Sequence, residues 1–362
     1  MTPRADVAVV GAGPGGSAFA LHAARAGLAV VLLDRGTGSA VPRGQTLAPS
    51  VRPLLHDLRA WDDVRPRALE CWETRSLWGS STPHVQQHLM SAYGCAWHVD
   101  RRDLDAVLRT RARDEGARLV TGAHVRRCCW EAGRWRVDLH GDDRVDAAVV
   151  VDATGRGAHV ARTLGATRVA VDRLVALAAT VERRADDGHL LVESAPEGWW
   201  YSAPLPSGGY QVVLLSDADR SRDLRLGDPA AWRAAMPGAT RDRLAGAPGA
   251  HVVAHAAASR RVVHDDALPW IAVGDAAVAV DPATGPGLAR TLRGAAAAAD
   301  AVRTHLADPA RGALRAYEDA CDRDFTRHLE ERAEVYAAET RWSAPFWLRR
   351  HAVPALAVPG PS

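Results

Sequence analysis

The chain has 362 residues, enough for one large domain or two intertwined ones. Its apolar content of 47% and formal net charge of +2 describe a globular protein. They give no electrostatic basis for a nucleic-acid or acidic-membrane partner. Every basic residue counted as Lys or Arg is arginine and there is no asparagine, which excludes a lysine base, a lysine Schiff base and any N-glycosylation acceptor.

The N-terminus MTPRADVAVVGAGPGG reads as a first strand and not as a signal peptide. Val7 to Val10 is apolar and β-branched, as expected of a buried parallel strand. A glycine-rich turn, a helix over Ser17 to Arg25 and a second buried strand, LAVVLLDR, follow within about 30 residues, the length of a βαβ unit. Residues 42–70 read as loop and amphipathic helix, and 72–98 as strand-like with many aromatics. RRDLDAVLRTRARDEGA is a helix, with Leu104, Val107, Leu108 and Ala112 at helical spacing. ARLVTGAHVRRC and RWRVDLHGDDRVDAAVVVDATG are strands. Three strand-like runs follow over 173–216: LVALAATVE, HLLVESAPEGWWYSAPL and GYQVVLLS. Residues 228–245 look helical, HVVAHAAASRRVV is read as one strand and WIAVGDAA as a buried strand. A long helix starts near Leu288, and a charged helical stretch over about 310–341 leads to a Pro-rich tail. No internal repeat is visible, and no run approaches the roughly 20 apolar residues of a membrane span.

Five cysteines, odd in number and without a C-x-x-C pair, fit a reducing cytoplasm better than a disulfide framework or a zinc site.

Gly11, Gly13 and Gly16 fit G-x-G-x-x-G, with Pro14 inside the turn. The first glycine permits the tight turn, the second lets backbone approach a pyrophosphate, and the third lets the helix pack on the strand. Asp34, followed by Arg35, ends the next strand and is placed for a ribose hydroxyl. Far along the chain, WIAVGDAAVAVDPATGPGLARTLRGA carries a second signature. Gly274 and Asp275 follow a buried strand. Pro282, Gly285 and Gly287 form a loop that opens the next helix, whose positive end would favour an anion such as a reduced flavin.

GAGPGG with Asp34, RRDLD, VVDATGRGAHVAR and GDAAVAVDPATGPGL, in this order, resemble the glutathione-reductase-type flavoproteins. The branch resembled is that of para-hydroxybenzoate hydroxylase, flavin-dependent halogenases and geranylgeranyl reductases. The resemblance implies an α/β fold: a Rossmann-like FAD-binding domain (1–71, 99–171 and 261–308), an inserted antiparallel-sheet substrate domain (72–98 and 172–260) and a C-terminal helical segment (309–362). It implies that Arg43 and Gln45 lie near the flavin, that Arg101 touches the pyrophosphate or ribityl chain, and that Val125 contacts the adenine. Asp275 would bind the ribityl chain, and Gly287 and Leu288 would offer backbone N–H groups to the isoalloxazine.

The cluster EGWWYSAPLP falls in the inserted sheet. Alternation sets Trp199, Tyr201 and Ala203 on one face, to line a substrate cavity, and Trp200 and Ser202 on the other. The segment partly resembles the W-x-W-x-I-P stretch of tryptophan halogenases, which carry hypohalous acid on a lysine that this chain lacks. RGQTLAPSVRPLL, WHVDRRDLD, DRLVALAA, EGWWYSAPLP and RWSAPFWLRRH are more closely similar to short flavoproteins that oxidise a tryptophan of a partner protein during quinone-cofactor biogenesis, the lysine-tryptophylquinone type. The loop PATGPGL is nearer to the aromatic hydroxylases.

The implied activity is a monooxygenase acting through a flavin C4a-hydroperoxide on an aromatic, indole-like substrate that is free, carrier-bound or part of a peptide. O2 would be co-substrate, with NAD(P)H or a separate flavin reductase as electron source. His84, His88 and His98 sit in the aromatic-rich segment. His98 is the candidate proton donor, with Gln45 as a further catalytic or substrate contact and His84 beside Trp199 and Tyr201 at the substrate. No metal-type spacing is present. Two other readings stay open: a reductase of the geranylgeranyl type, and a flavin-binding scaffold without turnover.

Overall fold

A computed structural model describes residues 4–36, 44–141, 143–184, 187–246, 251–263, 267–285 and 287–352. The apolar run of the first strand, Arg4–Val10, has solvent on neither face, and it forms parallel ladders with Val30–Asp34 and Arg144–Asp152 on its two sides. Parallel pairing continues outward to Arg118–Thr121 at one end and to Trp270–Ala272 beyond Arg144–Asp152. Arg134–Leu139 and Val125–Glu131 extend the sheet as an antiparallel ribbon, giving seven strands. The helices Pro14–Arg25, Arg101–Asp114 and Gly287–Ala307 pack together against this sheet, and their buried Ala and Leu residues belong to the main core.

A second seven-stranded sheet runs in the order Val253–Ala256, Leu174–Val181, Tyr210–Asp217, Gly198–Pro204, Leu190–Ala195, Glu73–Leu77, His84–Gln87. Its pairings are antiparallel except between Leu190–Ala195 and Glu73–Leu77. Two small three-stranded sheets join the parts. One pairs Gly44–Leu47 and Leu69–Cys71 with Ala96–Asp100, and the other pairs Thr167–Ala170 and Val278–Ala279 with Arg260–Val263.

The expected α/β fold with a Rossmann-like domain is present. Several boundaries differ from the sequence reading. HLLVESAPEGWWYSAPL is a hairpin of two strands, broken at Pro196 and Glu197. HVVAHAAASRRVV splits into Val253–Ala256 and Arg260–Val263, which lie in different sheets. The turn between them is fixed by Asp172, whose carboxylate accepts the Ser259 N–H at 3.3 Å. The amphipathic helix of 42–70 is a series of short pieces, Pro49–Val51, Arg52–Asp57 and Trp61–Val64, and residues 228–245 hold two short helices, Pro229–Ala234 and Gly238–Asp242. Proline sits at the start of several of these segments, where its fixed φ and missing N–H favour a new helical start.

Candidate flavin and substrate site

The glycine turn is pinned by its neighbours: the Gly11 N–H donates to the Leu33 carbonyl at 2.8 Å, and the Ala153 N–H to the Val10 carbonyl at 2.8 Å. A Cβ added at Gly16 would lie 1.9 Å from the Gly11 oxygen, so only glycine fits where helix meets strand. Gly13 is different. Its φ of −72° suits any residue, and an added Cβ would meet no protein atom within 4 Å. The bare backbone at Gly13 leaves open space in front of the helix that Pro14 begins, and no side chain caps that helix. An uncapped N-terminus with unfilled space before it fits the pyrophosphate of a dinucleotide.

Asp34 stands at the end of its strand, accepts the Gly36 N–H at 3.2 Å, and has Arg109 at 3.6 Å. Arg35 is exposed beside it. Val125 begins the outer strand of the antiparallel ribbon and is half-buried. Arg43 lies outside the described residues.

The two distant signatures meet. A Cβ on Gly15 would lie 3.4 Å from the Gly274 Cα and 3.3 Å from the Thr291 methyl, so the glycine turn, the GD turn and the helix Gly287–Ala307 pack as one unit. Asp275 is partly exposed there and pairs with Arg156 at 3.3 Å. Arg156 is itself fixed by the Ala258 carbonyl at 2.9 Å and the Val280 carbonyl at 2.7 Å. Nothing in the sequence DATGRG marks Arg156 for this role. Its position between Asp275 and the strand leading into the Pro282 loop makes it the fixed cation of this corner. Pro282 opens a single 3-10 turn over Pro282–Thr284, and Gly285 leaves it with φ +93°. Gly287 and Leu288 form the first turn of a helix of 21 residues, so the positive end of a long dipole sits at the loop.

Gln45 and Arg101 come together across the small sheet, the guanidinium donating to the Gln45 side-chain oxygen at 2.9 Å. His98, on the adjacent strand, does not face an open site. It is 1% exposed, one ring nitrogen lies 2.9 Å from the Thr46 hydroxyl, and the other lies 3.0 Å from the Gly188 carbonyl. A carbonyl only accepts, so Nε2 carries the proton and Nδ1 accepts from Thr46. Burial pulls this imidazole down to about 4. His98 is therefore a neutral tie between strands, which corrects the expectation of a proton donor. His88 is likewise buried and bonds Thr74 at 3.2 Å. His84 is exposed on the edge strand, three strands from Gly198–Pro204. Strand spacing puts it about 14 Å across the sheet from Trp199 and Tyr201, so it does not join them at one site.

The alternation expected of the tryptophan strand is observed. Trp200 packs with Trp232 at 4.9 Å between ring centres, beneath the short helices, and its indole N–H has no partner among the described residues. Trp199 and Tyr201 point the other way, into a cluster with Trp78, Tyr336, Phe346 and Trp347 that also receives Ala283 of the Pro282 loop. Trp199 does not line open space as expected: it is 2% exposed, and its indole N–H donates to the Tyr336 hydroxyl at 3.1 Å. Tyr201 is half-buried, and burial pushes its phenol up to about 12, so it stays protonated and able to donate. Among the described residues no group of three or more His, Cys, Asp or Glu could hold a metal ion, and no helix is long and apolar enough to cross a membrane.

Comparison with known proteins agrees with this geometry. Residues 6–173 match the FAD dependent oxidoreductase family model. LodB of Marinomonas mediterranea, described as an FAD-dependent oxidoreductase, is 28% identical over 373 residues, covering 97% of this chain and 98% of LodB. The menaquinone reductase of Mycobacterium tuberculosis is 31% identical over 315 residues, covering 78% of this chain and 73% of the reductase. Among solved structures, the peptidyl tryptophan dihydroxylase QhpG aligns with TM-score 0.77 at 25% identity, covering 98% of this chain and 80% of that one. The flavin-dependent halogenase CmlS aligns with TM-score 0.83 at 21% identity, covering 98% and 68%. The open glycine turn, its packing against the GD corner and these likenesses agree: the chain is a flavin-dependent enzyme with FAD as its cofactor, and it belongs to the FAD-dependent oxidoreductase family.

Proposed function

We propose that this enzyme is a monooxygenase that hydroxylates an aromatic, indole-bearing substrate. The observation that carries the reading is the aromatic face of Gly198–Pro204, where Tyr201 and Trp199 pack on the same cluster as Ala283 of the loop that leads into the helix Gly287–Ala307. Tyr201, half-buried at the edge of this cluster beside that loop, suits a planar substrate held by stacking and edge contacts. LodB and the peptidyl tryptophan dihydroxylase QhpG add weight because their likeness runs over almost the whole chain.

In this reading, Gly11, Gly13, Pro14 and Gly16 hold the pyrophosphate, Asp34 and Arg35 the ribose side, and Val125 the adenine. Arg101, aligned by Gln45, faces the ribityl or pyrophosphate portion, and Asp275, aligned by Arg156, the ribityl hydroxyls. FAD supplies the redox chemistry and the activation of O2. The chain's own task is to hold the substrate ring, exclude water and keep charge balanced at the loop. Tyr201 is the group that donates a hydrogen bond to the substrate. His98 acts on Thr46 and Gly188, not on substrate. The region spanning 72–98 and 172–260 serves as the substrate domain, and 309–362 as a C-terminal segment that supports it. Electrons come from NAD(P)H directly or from a separate flavin reductase. Without lysine, the chain has no residue for a lysine-borne halogenating species.

A reductase of the geranylgeranyl type is the second reading, and the likeness to the menaquinone reductase favours a reductase. Anaerobic mixing of the FAD-loaded enzyme with NADPH or NADH, followed by aerobic turnover of indoles, tryptophan-containing peptides and a prenylated quinone, separates the two. The monooxygenase reading expects a product one or two oxygens heavier from an indole compound, with a flavin reductase added if direct reduction is slow. A reduced prenyl chain formed without O2 would overturn it.

A further inference from the structure

Within the helix Ala313–Ala337, His328, Arg332 and Tyr336 recur at every fourth residue and so share one face. All three are buried, at 0%, 5% and 0% exposure. Burying such groups is costly unless each finds a partner. Each finds one at Asp281 and Thr284. The His328 Nε2 accepts the Asp281 N–H at 3.1 Å, and its Nδ1 lies 3.2 Å from the Thr284 hydroxyl. Arg332 donates to the Asp281 carboxylate at 3.1 Å and also pairs with Asp172 at 3.3 Å. The Tyr336 hydroxyl donates to the same carboxylate oxygen of Asp281 at 2.9 Å and accepts the Trp199 indole N–H at 3.1 Å. The other oxygen of Asp281 accepts the Ala283 N–H at 3.0 Å.

One hydroxyl therefore ties the aromatic strand to the loop that precedes the helix Gly287–Ala307. Burial, followed by the Asp281 charge, holds the Tyr336 phenol well above its ordinary value, so the proton that makes this tie stays on. We propose that Tyr336 is a positioning residue, which with Arg332 and His328 braces the loop Asp281–Gly285 in the shape that receives the flavin ring and sets its distance from the Trp199–Tyr201 face. The proposal rests on the assignment of that loop to the flavin and is independent of the substrate.

The test is Tyr336→Phe, which keeps the ring packed on Trp78, Phe346 and Trp347 but removes the hydroxyl. Trp200→Phe, on the opposite face of the same sheet, is the control for simple destabilisation. Hydrogen–deuterium exchange of the FAD-free protein is measured over 281–285 and 198–204, and FAD affinity by fluorescence titration. The expected result is faster exchange at both segments in Tyr336→Phe only, with FAD bound about ten-fold more weakly, the size of one lost hydrogen bond to a charged group. Faster exchange at both segments with unchanged FAD affinity supports the brace and counts against the loop's assignment to the flavin. Exchange that is unchanged at 281–285, or raised evenly across the molecule, overturns the proposal. If Tyr336→Phe does not fold, Trp199→Phe removes the strand end of the tie, and unchanged exchange at 198–204 then overturns the proposal.

Discussion

Gly13→Ala separates folding from cofactor binding. The substitution adds one methyl group where the backbone is already extended, at φ −72° and ψ −175°, and where no protein atom lies within 4 Å. Alanine loses less backbone entropy on folding than glycine, so the FAD-free protein is expected to be unchanged or about 0.4–1 kcal/mol more stable. For a chain of 362 residues that corresponds to a rise of no more than about 1.5 °C in Tm. The added methyl stands in the space that a pyrophosphate needs in order to reach the turn. Loss of one charge-assisted hydrogen bond, about 1.5–3 kcal/mol, weakens FAD roughly ten- to 150-fold. Gly16→Ala gives the opposite pattern, because its methyl would lie 1.9 Å from the Gly11 oxygen and the turn could not close. The assay is thermal unfolding of the FAD-free proteins alongside FAD fluorescence titration. Gly13→Ala binding FAD as the parent does, or losing stability as Gly16→Ala does, would refute the assignment of the turn.

The paired tryptophans differ in the same readable way. Trp199→Phe loses the bond to Tyr336, whereas Trp200→Phe removes an indole N–H that has no partner among the described residues. By urea denaturation Trp199→Phe should be less stable than Trp200→Phe by about 2 kcal/mol, and equal losses would contradict the network. Acid should weaken the fold through its buried histidines. Burial pulls His98 and His189 down to about 4 and His328 to about 3, the last helped by nearby arginines, so each stays neutral in the folded state while taking a proton near 6.5 when unfolded. The unfolded state then binds more protons below pH 6.5. Stability falls as pH falls from there toward 4, by about 1.4 kcal/mol per pH unit for each histidine. Denaturant midpoints measured across that range check the slope, and His98→Gln should reduce it.

The parts of the fold that rest on long apolar runs were legible in the sequence. Val7 to Val10 and LAVVLLDR could only be buried strands, and the glycines between them had one geometry that fits a strand followed by a helix. The alternation of Trp199 and Trp200 was readable because the strand period is two. The roles of His98 and His84 were not readable, since a histidine in an aromatic segment carries no sign of whether Thr46 and Gly188 will take both of its nitrogens. The stretch over about 310–341 was legible only as charged and helical. In TRHLEERAEVY, buried and exposed charges look alike until the partner Asp281 is brought in from 51 residues away by the fold. The four-residue spacing of His328, Arg332 and Tyr336 was a usable signal, the polar counterpart of an apolar stripe. Arg156 was hidden for a similar reason: its partners Ala258, Asp275 and Val280 are remote in sequence.

The most direct test of the account supplies the FAD-loaded enzyme with a flavin reductase, NADPH and isotopically labelled O2, and reads an indole substrate or tryptophan-containing peptide by mass spectrometry. Labelled oxygen should appear in the aromatic product, and Tyr201→Phe should lower its yield while FAD stays bound. Consumption of reductant with no labelled product from any indole, together with O2-independent reduction of a prenylated quinone, would contradict it.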